Sequence, residues 1–356
     1  MKGVKSEPYS PASFSGSNRF AALKATPVYD TYWRFAVERQ EIYMRRVRGE
    51  LGPWTKDPIL LKHKFTNAYR ASDRVSQYFI RNVLYADKYS SEPQEVFFRT
   101  LLFKLFNKIG TWDHLENAVG DISWATFDRR RYDKVLTTAM AAGQRLYSAA
   151  YIVPPVRLGL DEGVKHRGHL HLLEYAMTQD VPNRVQEARS LKDVYGILKE
   201  LPSLGRFLAF QFAIDLNYSE ILTHSEEDFV VAGPGALDGI SKCFENGGDY
   251  KSEDIIEFVQ NRQVIEFERL DISFKTLWGR PLQLVDCQNL FCEISKYARV
   301  AHPEYSGVAG RTRIKQMFNP SNSPTTAWYP PKWGINDRIP EFRPQSNDLF
   351  AVESSR

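Results

Sequence analysis

Apolar residues recur at three- and four-residue spacing along most of the chain, and this spacing predicts helices. In residues 29–47 the stripe is Trp33, Val37, Ile42 and Tyr43, with Arg45, Arg46 and Arg48 at the end where a helix favours cations. Residues 52–66 read as extended, because Pro53 and Pro58 forbid a long helix. A helix is expected from about Asn67, with Val75, Phe79 and Val83 facing inward. Residues 91–109 are apolar enough for a core helix, and residues 111–155 read as two or three shorter ones. Residues 191–217 predict a helix, a five-residue hairpin and a second helix. Val194, Leu198 and Leu201 stripe the first; Phe207, Leu208, Phe210, Phe212 and Ile214 crowd the second. Residues 254–269 read as an acidic surface helix, and 278–299 as a loop followed by a helix. The class that results is all-α.

Certain polar residues sit where apolar packing does not require them. Asn67, Arg70, Asp73, Arg74 and Gln77 are dense on the expected helix, with Asn67, Arg70 and Arg74 at spacings that share one side. Amides can read base edges and guanidinium can fork onto phosphate or carboxylate. The alternative is an Asp–Arg network that braces the fold. In the hairpin, Leu201, Pro202, Ser203, Leu204 and Gly205 present backbone N–H groups at a helix start, an arrangement that binds phosphate. Glu226, Glu227 and Asp228 form an acidic cluster before the turn containing Gly233 and Gly235. That turn reads either as a second phosphate grip, with Lys242 beyond it, or as a tight entry to an ordinary helix.

Composition narrows the classes. Of the 356 residues, 43% are hydrophobic and 25% charged, as expected of a globular core with a solvated surface. The net charge of +4 permits nucleic-acid binding through a local patch without demanding it. The basic run Arg129, Arg130, Arg131 reads as a solvated face or a DNA contact. Three cysteines, Cys243, Cys287 and Cys292, cannot hold a four-thiolate cluster, and so sparse a count points to free thiols in a reducing, cytoplasmic setting. His166, His169 and His171 lie within six residues, but only the first two share a helical face, so no metal is expected. Asp286 has the form of an N-cap, and Glu293, Lys296 and Tyr297 allow an internal ion pair. The first residues carry no signal peptide, and no apolar run is long enough to span a membrane. The division expected is a loose segment over 1–28, a two-lobed helical domain over 29–310, and a Pro/aromatic tail over 311–356. Trp328, Tyr329 and Trp333 would wrap that tail over the domain.

The order helix, LPSLG hairpin, helix, then an Asp beside a Gly/Pro loop resembles the helix-hairpin-helix DNA glycosylases. More specifically, PWTKDPIL, FTNAYRASDRVSQ, WRFAVERQEIYMRR and DFVVAGPGALDGISKCF resemble the α-glutamyl/putrescinyl thymine pyrophosphorylases of DNA base hypermodification. This resemblance runs over about residues 29–300. It implies a two-lobed glycosylase-like fold acting on DNA with modified pyrimidines. Related helical domains are fused to 5-hydroxymethyluridine DNA kinases, but the chain has no G-x-x-x-x-G-K-[ST], which argues against a kinase.

A base inside a duplex must be flipped out before it can be worked on. The resemblance makes Asp228 the catalytic carboxylate. Asn67, Arg70, Asp73, Arg74, Gln77 and Gln211 would form the base pocket. The hairpin 201–205, Gly233, Gly235 and Lys242 would form the backbone grip. Arg206 and Phe207 follow Gly205 where bifunctional glycosylases place a lysine, so the expected reaction is hydrolytic excision of a modified base, without a cofactor, by a monomer. The alternatives are an amino acid:DNA transferase that displaces pyrophosphate from an activated 5-hydroxymethyluracil, and a non-enzymatic modified-base binder.

Overall fold

The computed structural model describes residues 11–14, 19–149, 151–156, 163–320 and 325–340. Half of the segment expected to be loose (1–10 and 15–18), and residues 321–324 and 341–356 of the tail, lie outside the described residues. The helices are α1 (Pro27–Val47), α2 (Pro58–Lys62), α3 (Arg74–Phe79), α4 (Pro93–Phe106), α5 (Ile109–Val119), α6 (Arg129–Ala141) and α7 (Lys165–Thr178). They continue as α8 (Val181–Gln186), α9 (Leu191–Lys199), α10 (Arg206–Asn217), α11 (Pro234–Cys243), α12 (Ser252–Asn261), α13 (Gln263–Arg269) and α14 (Leu284–Ala301). Among the described residues there is no β-strand, only isolated bridges. The fold is all-α.

Local chemistry sets most helix ends. The Thr26 hydroxyl accepts from the Val28 N–H, Pro27 opens α1, and Arg45 and Arg46 occupy its last turn. Ser190 caps α9 through the Asp193 N–H, and Asn107 ends α4 in the left-handed conformation. Asp286 is not the N-cap of α14. Gln283 is, and Asp286 sits three residues in, its carboxylate accepting from the Gln283 N–H in a capping box.

Helix α10 organises the interior. Every residue from Leu208 to Asn217 is buried, the signature of a helix enclosed on all sides. It pairs with α9 across the hairpin and touches α4, which also packs on α7 and α8. On the other flank α11 lies along α14, with α1 and α12 against them. The α11–α14 approach is close because Gly235 faces Cys292 and Gly239 faces the Phe291 carbonyl, positions where a Cβ would overlap.

Three expectations change. The helix expected from Asn67 is broken: Arg70–Ser72 is a single 3₁₀ turn, Asp73 is extended, and α3 runs into a π-helical turn at Ile80–Leu84. The Asn67 N–H donates to Asp73 Oδ1 and the Asn67 amide to the Ser72 carbonyl, so short polar side chains outcompete the helix. The acidic helix over 254–269 is two helices meeting at Arg262. Phe14 and Phe20, within the segment expected to be loose, are buried against Phe258.

Candidate functional site

The polar residues singled out around Arg70 form a buried network. Arg70 Nη1 lies 2.9 Å from Asp215 Oδ1, and its Nε donates to Gln211 Oε1 at 2.8 Å. Lys104 Nζ reaches Asp215 Oδ2 at 3.0 Å, and the Arg70 N–H donates to Asp286 Oδ1 at 2.8 Å. Burial pushes the Asp215 carboxyl up, but Arg70 and Lys104 outweigh it and hold the group below the usual range. Burial raises Asp73 and Asp286 to about 7 each. Gln77 is tied to the Ala71 carbonyl and the Trp328 N–H. Arg74 points into solvent. Of the expected base pocket of Asn67, Arg70, Asp73, Arg74, Gln77 and Gln211, Arg70 and Gln211 join a brace between α10, α4 and the start of α14, while Asn67 and Asp73 bond to each other. The broken helix sends its members in different directions.

Of the expected backbone grip, residues 201–205 form the short turn between α9 and α10. Ser203 turns the chain with φ of 66°, and Gly205 precedes the first turn of α10 with no atom within 4 Å of where a Cβ would stand. Gly233, Gly235 and Lys242 do not belong to it. A Cβ on Gly233 would strike the Phe207 ring, Gly235 packs on Cys292, and buried Lys242 donates to the Ser295 carbonyl at 3.0 Å. These residues serve the packing of α11.

Asp228 is exposed and lies outside the lining of the cavity beside it. The buried acid of that cluster is Glu226, 3.2 Å from Arg280 Nη2. Burial raises Glu226, and Arg280 offsets this only in part. Glu226 and Arg280 line a cavity of about 700 Å³, in the range of small-ligand sites. It lies at the C-terminal end of α10, where the Asn217 amide pins the His224 backbone at both N–H and carbonyl. The opposite wall is the stretch 332–338, where Trp333 lies 4.0 Å under the Arg280 guanidinium. Lys332 holds that wall in place by donating to the carbonyls of Asn217, Ser219 and Leu222. Sequence reading missed Arg280 and Trp333, since nothing local sets them apart. Helix α10 rises about 1.5 Å per residue over its 12 residues, so hairpin and cavity stand roughly 18 Å apart.

Two of the three clustered histidines, His166 and His169, are held by partners within the fold. His166 pairs with Asp133 at 2.8 Å, and His169 bridges the Pro154 carbonyl and the Tyr147 hydroxyl, each at 2.9 Å. Among the described residues no group of His, Cys, Asp or Glu is placed to hold a metal ion. Nor is any described helix long and apolar enough to cross a membrane.

The sequence profile of the 5-hmdU DNA kinase helical domain matches residues 26–307. The chain belongs to this family. It is also 29% identical over 313 residues to a 5-hmdU DNA kinase of Bacillus phage SP10; the alignment covers 82% of this chain and 48% of that protein. The chain thus spans about half the length of the curated relative it matches. No solved structure matches it. These matches support a DNA-hypermodification family, but they overturn the expected reaction. A relative named as a kinase transfers phosphate. It neither hydrolyses an N-glycosidic bond nor displaces pyrophosphate with an amine. The missing phosphate loop does not exclude membership, because the profile that matches is that of the helical domain.

Proposed function

We propose that the chain serves phosphorylation of 5-hydroxymethyl-2′-deoxyuridine in DNA, as the helical part that engages the DNA and presents the modified nucleotide. The observation that carries this reading is the family match across residues 26–307. The hairpin's open approach at Gly205 suits a phosphate of the backbone, and the cavity beyond α10 suits an extruded nucleotide. No G-x-x-x-x-G-K-[ST] occurs in the 356 residues, so in this reading the phosphate donor is held by a nucleotide-binding unit outside them, on the same chain or another. Asp228 has no part in it.

Fluorescence anisotropy with matched single-stranded oligonucleotides, one carrying 5-hydroxymethyl-2′-deoxyuridine and one thymidine, tests the reading. The modified strand binds at least about tenfold more tightly if the reading is right. Equal affinity for the two strands, or no binding to either, overturns it.

A further inference from the structure

The cavity at the end of α10 offers more than room. Its buried carboxylate, Glu226, is held on one side by the Arg280 guanidinium, 3.2 Å away. Arg280 is itself laid on Trp333, so it presents a planar cation backed by an aromatic ring, and bases stack on guanidinium planes as they do on rings. A nearly desolvated carboxylate that still lines an open cavity is a strong acceptor for a hydroxyl donor. A methyl group in the same position offers it nothing.

The wall that carries Trp333 and Arg338 lies beyond residue 307, where the family match ends. Arg338 fixes this wall by donating to the Trp278 carbonyl at 3.1 Å, next to the turn that carries Arg280. The site is therefore assembled from the family domain and a stretch outside the matched region.

Resting on the function proposed above, we propose that this cavity reads the C5 substituent of the extruded pyrimidine. Glu226 accepts the hydroxymethyl O–H, and the Arg280–Trp333 stack supports the ring. Glu226 is then the residue that separates 5-hydroxymethyluracil from thymine, and Trp333 contributes affinity without selectivity.

The test uses the full chain and the same two oligonucleotides. Glu226→Leu removes the acceptor and retains the bulk. It brings the preference for the modified strand down roughly tenfold or more, towards unity, as expected for a lost charge-assisted hydrogen bond. Trp333→Ala weakens both strands by the same factor, roughly five- to hundredfold, the range for a lost stacking platform. Circular dichroism and thermal melting establish that each variant is folded. A folded Glu226→Leu protein that keeps the wild-type preference overturns the assignment while the proposed function stands. If Glu226→Leu does not fold, Trp333→Ala decides: unchanged affinity for both strands places the base elsewhere and overturns the inference. A wild-type protein with no preference defeats the proposed function itself, and this inference with it.

Discussion

Asp73 illustrates at the residue scale how burial turns an ordinary side chain into a pH-sensitive one. Its carboxylate accepts the Asn67 N–H at 2.8 Å, and burial raises its pKa from 3.8 to about 7. A raised carboxyl pKa means the folded state binds the proton more tightly than the unfolded state. The contribution to stability is fully present below the unfolded value and is lost as pH rises through about 7. Asp73→Asn keeps the accepting oxygen and cannot ionise. Between pH 5 and pH 8 it should therefore gain on the wild type by on the order of 2 kcal/mol. Urea denaturation of both proteins at the two pH values measures this; a constant difference between them would show that Asp73 titrates normally. Asp215 has the opposite sign, being held low by Arg70 and Lys104.

At the scale of elements, two glycines that look alike in the sequence do opposite things. Gly239 lies in α11 where a Cβ would overlap the Phe291 carbonyl, and backbone atoms in the middle of α14 cannot move aside. Gly239→Ala should cost about 2 kcal/mol or more by overpacking. Gly205, with φ of −66° and open space in front of it, should accept alanine within about 0.5 kcal/mol of wild type. If hairpin amides approach a phosphate there, the same substitution weakens DNA binding. Melting curves and anisotropy on the pair read both effects, and a Gly239→Ala protein as stable as wild type would refute the close α11–α14 approach. The hairpin was legible in the sequence because its signal is local, an apolar stripe on each side of Pro202 and Gly205. The turn at Gly233 and Gly235 was ambiguous because a glycine that admits a ligand and one that admits a neighbouring helix are written identically.

For the whole molecule, the stretch 325–340 ties together regions far apart in sequence. Tyr329 is fully buried, its hydroxyl 2.5 Å from that of Tyr43 and 2.7 Å from Ser72 Oγ. Lys332 satisfies three carbonyls at and beyond the end of α10, and Trp333 backs Arg280 in the cavity. Removing residues 325–356 should lower the unfolding free energy by more than about 3 kcal/mol, the scale of losing one large buried aromatic. It should also abolish preference for the modified strand. A truncated protein that loses less than about 1 kcal/mol in urea denaturation would mean that the stretch only lies on the surface.

The sequence alone determined the all-α class, the position of most helices and the helix–hairpin–helix unit at α9–α10. These depend on apolar periodicity and on caps within a few residues of each helix end, both of which are local. Which polar residues would be sealed into a brace and which would face a cavity was decided only by the tertiary structure. Arg70 meets Asp215 across 145 positions, and the cavity joins Glu226, Arg280 and Trp333 from three separate stretches. A buried charge is stable only beside its partner. No spacing along the chain reveals that partner, because packing alone brings the two together.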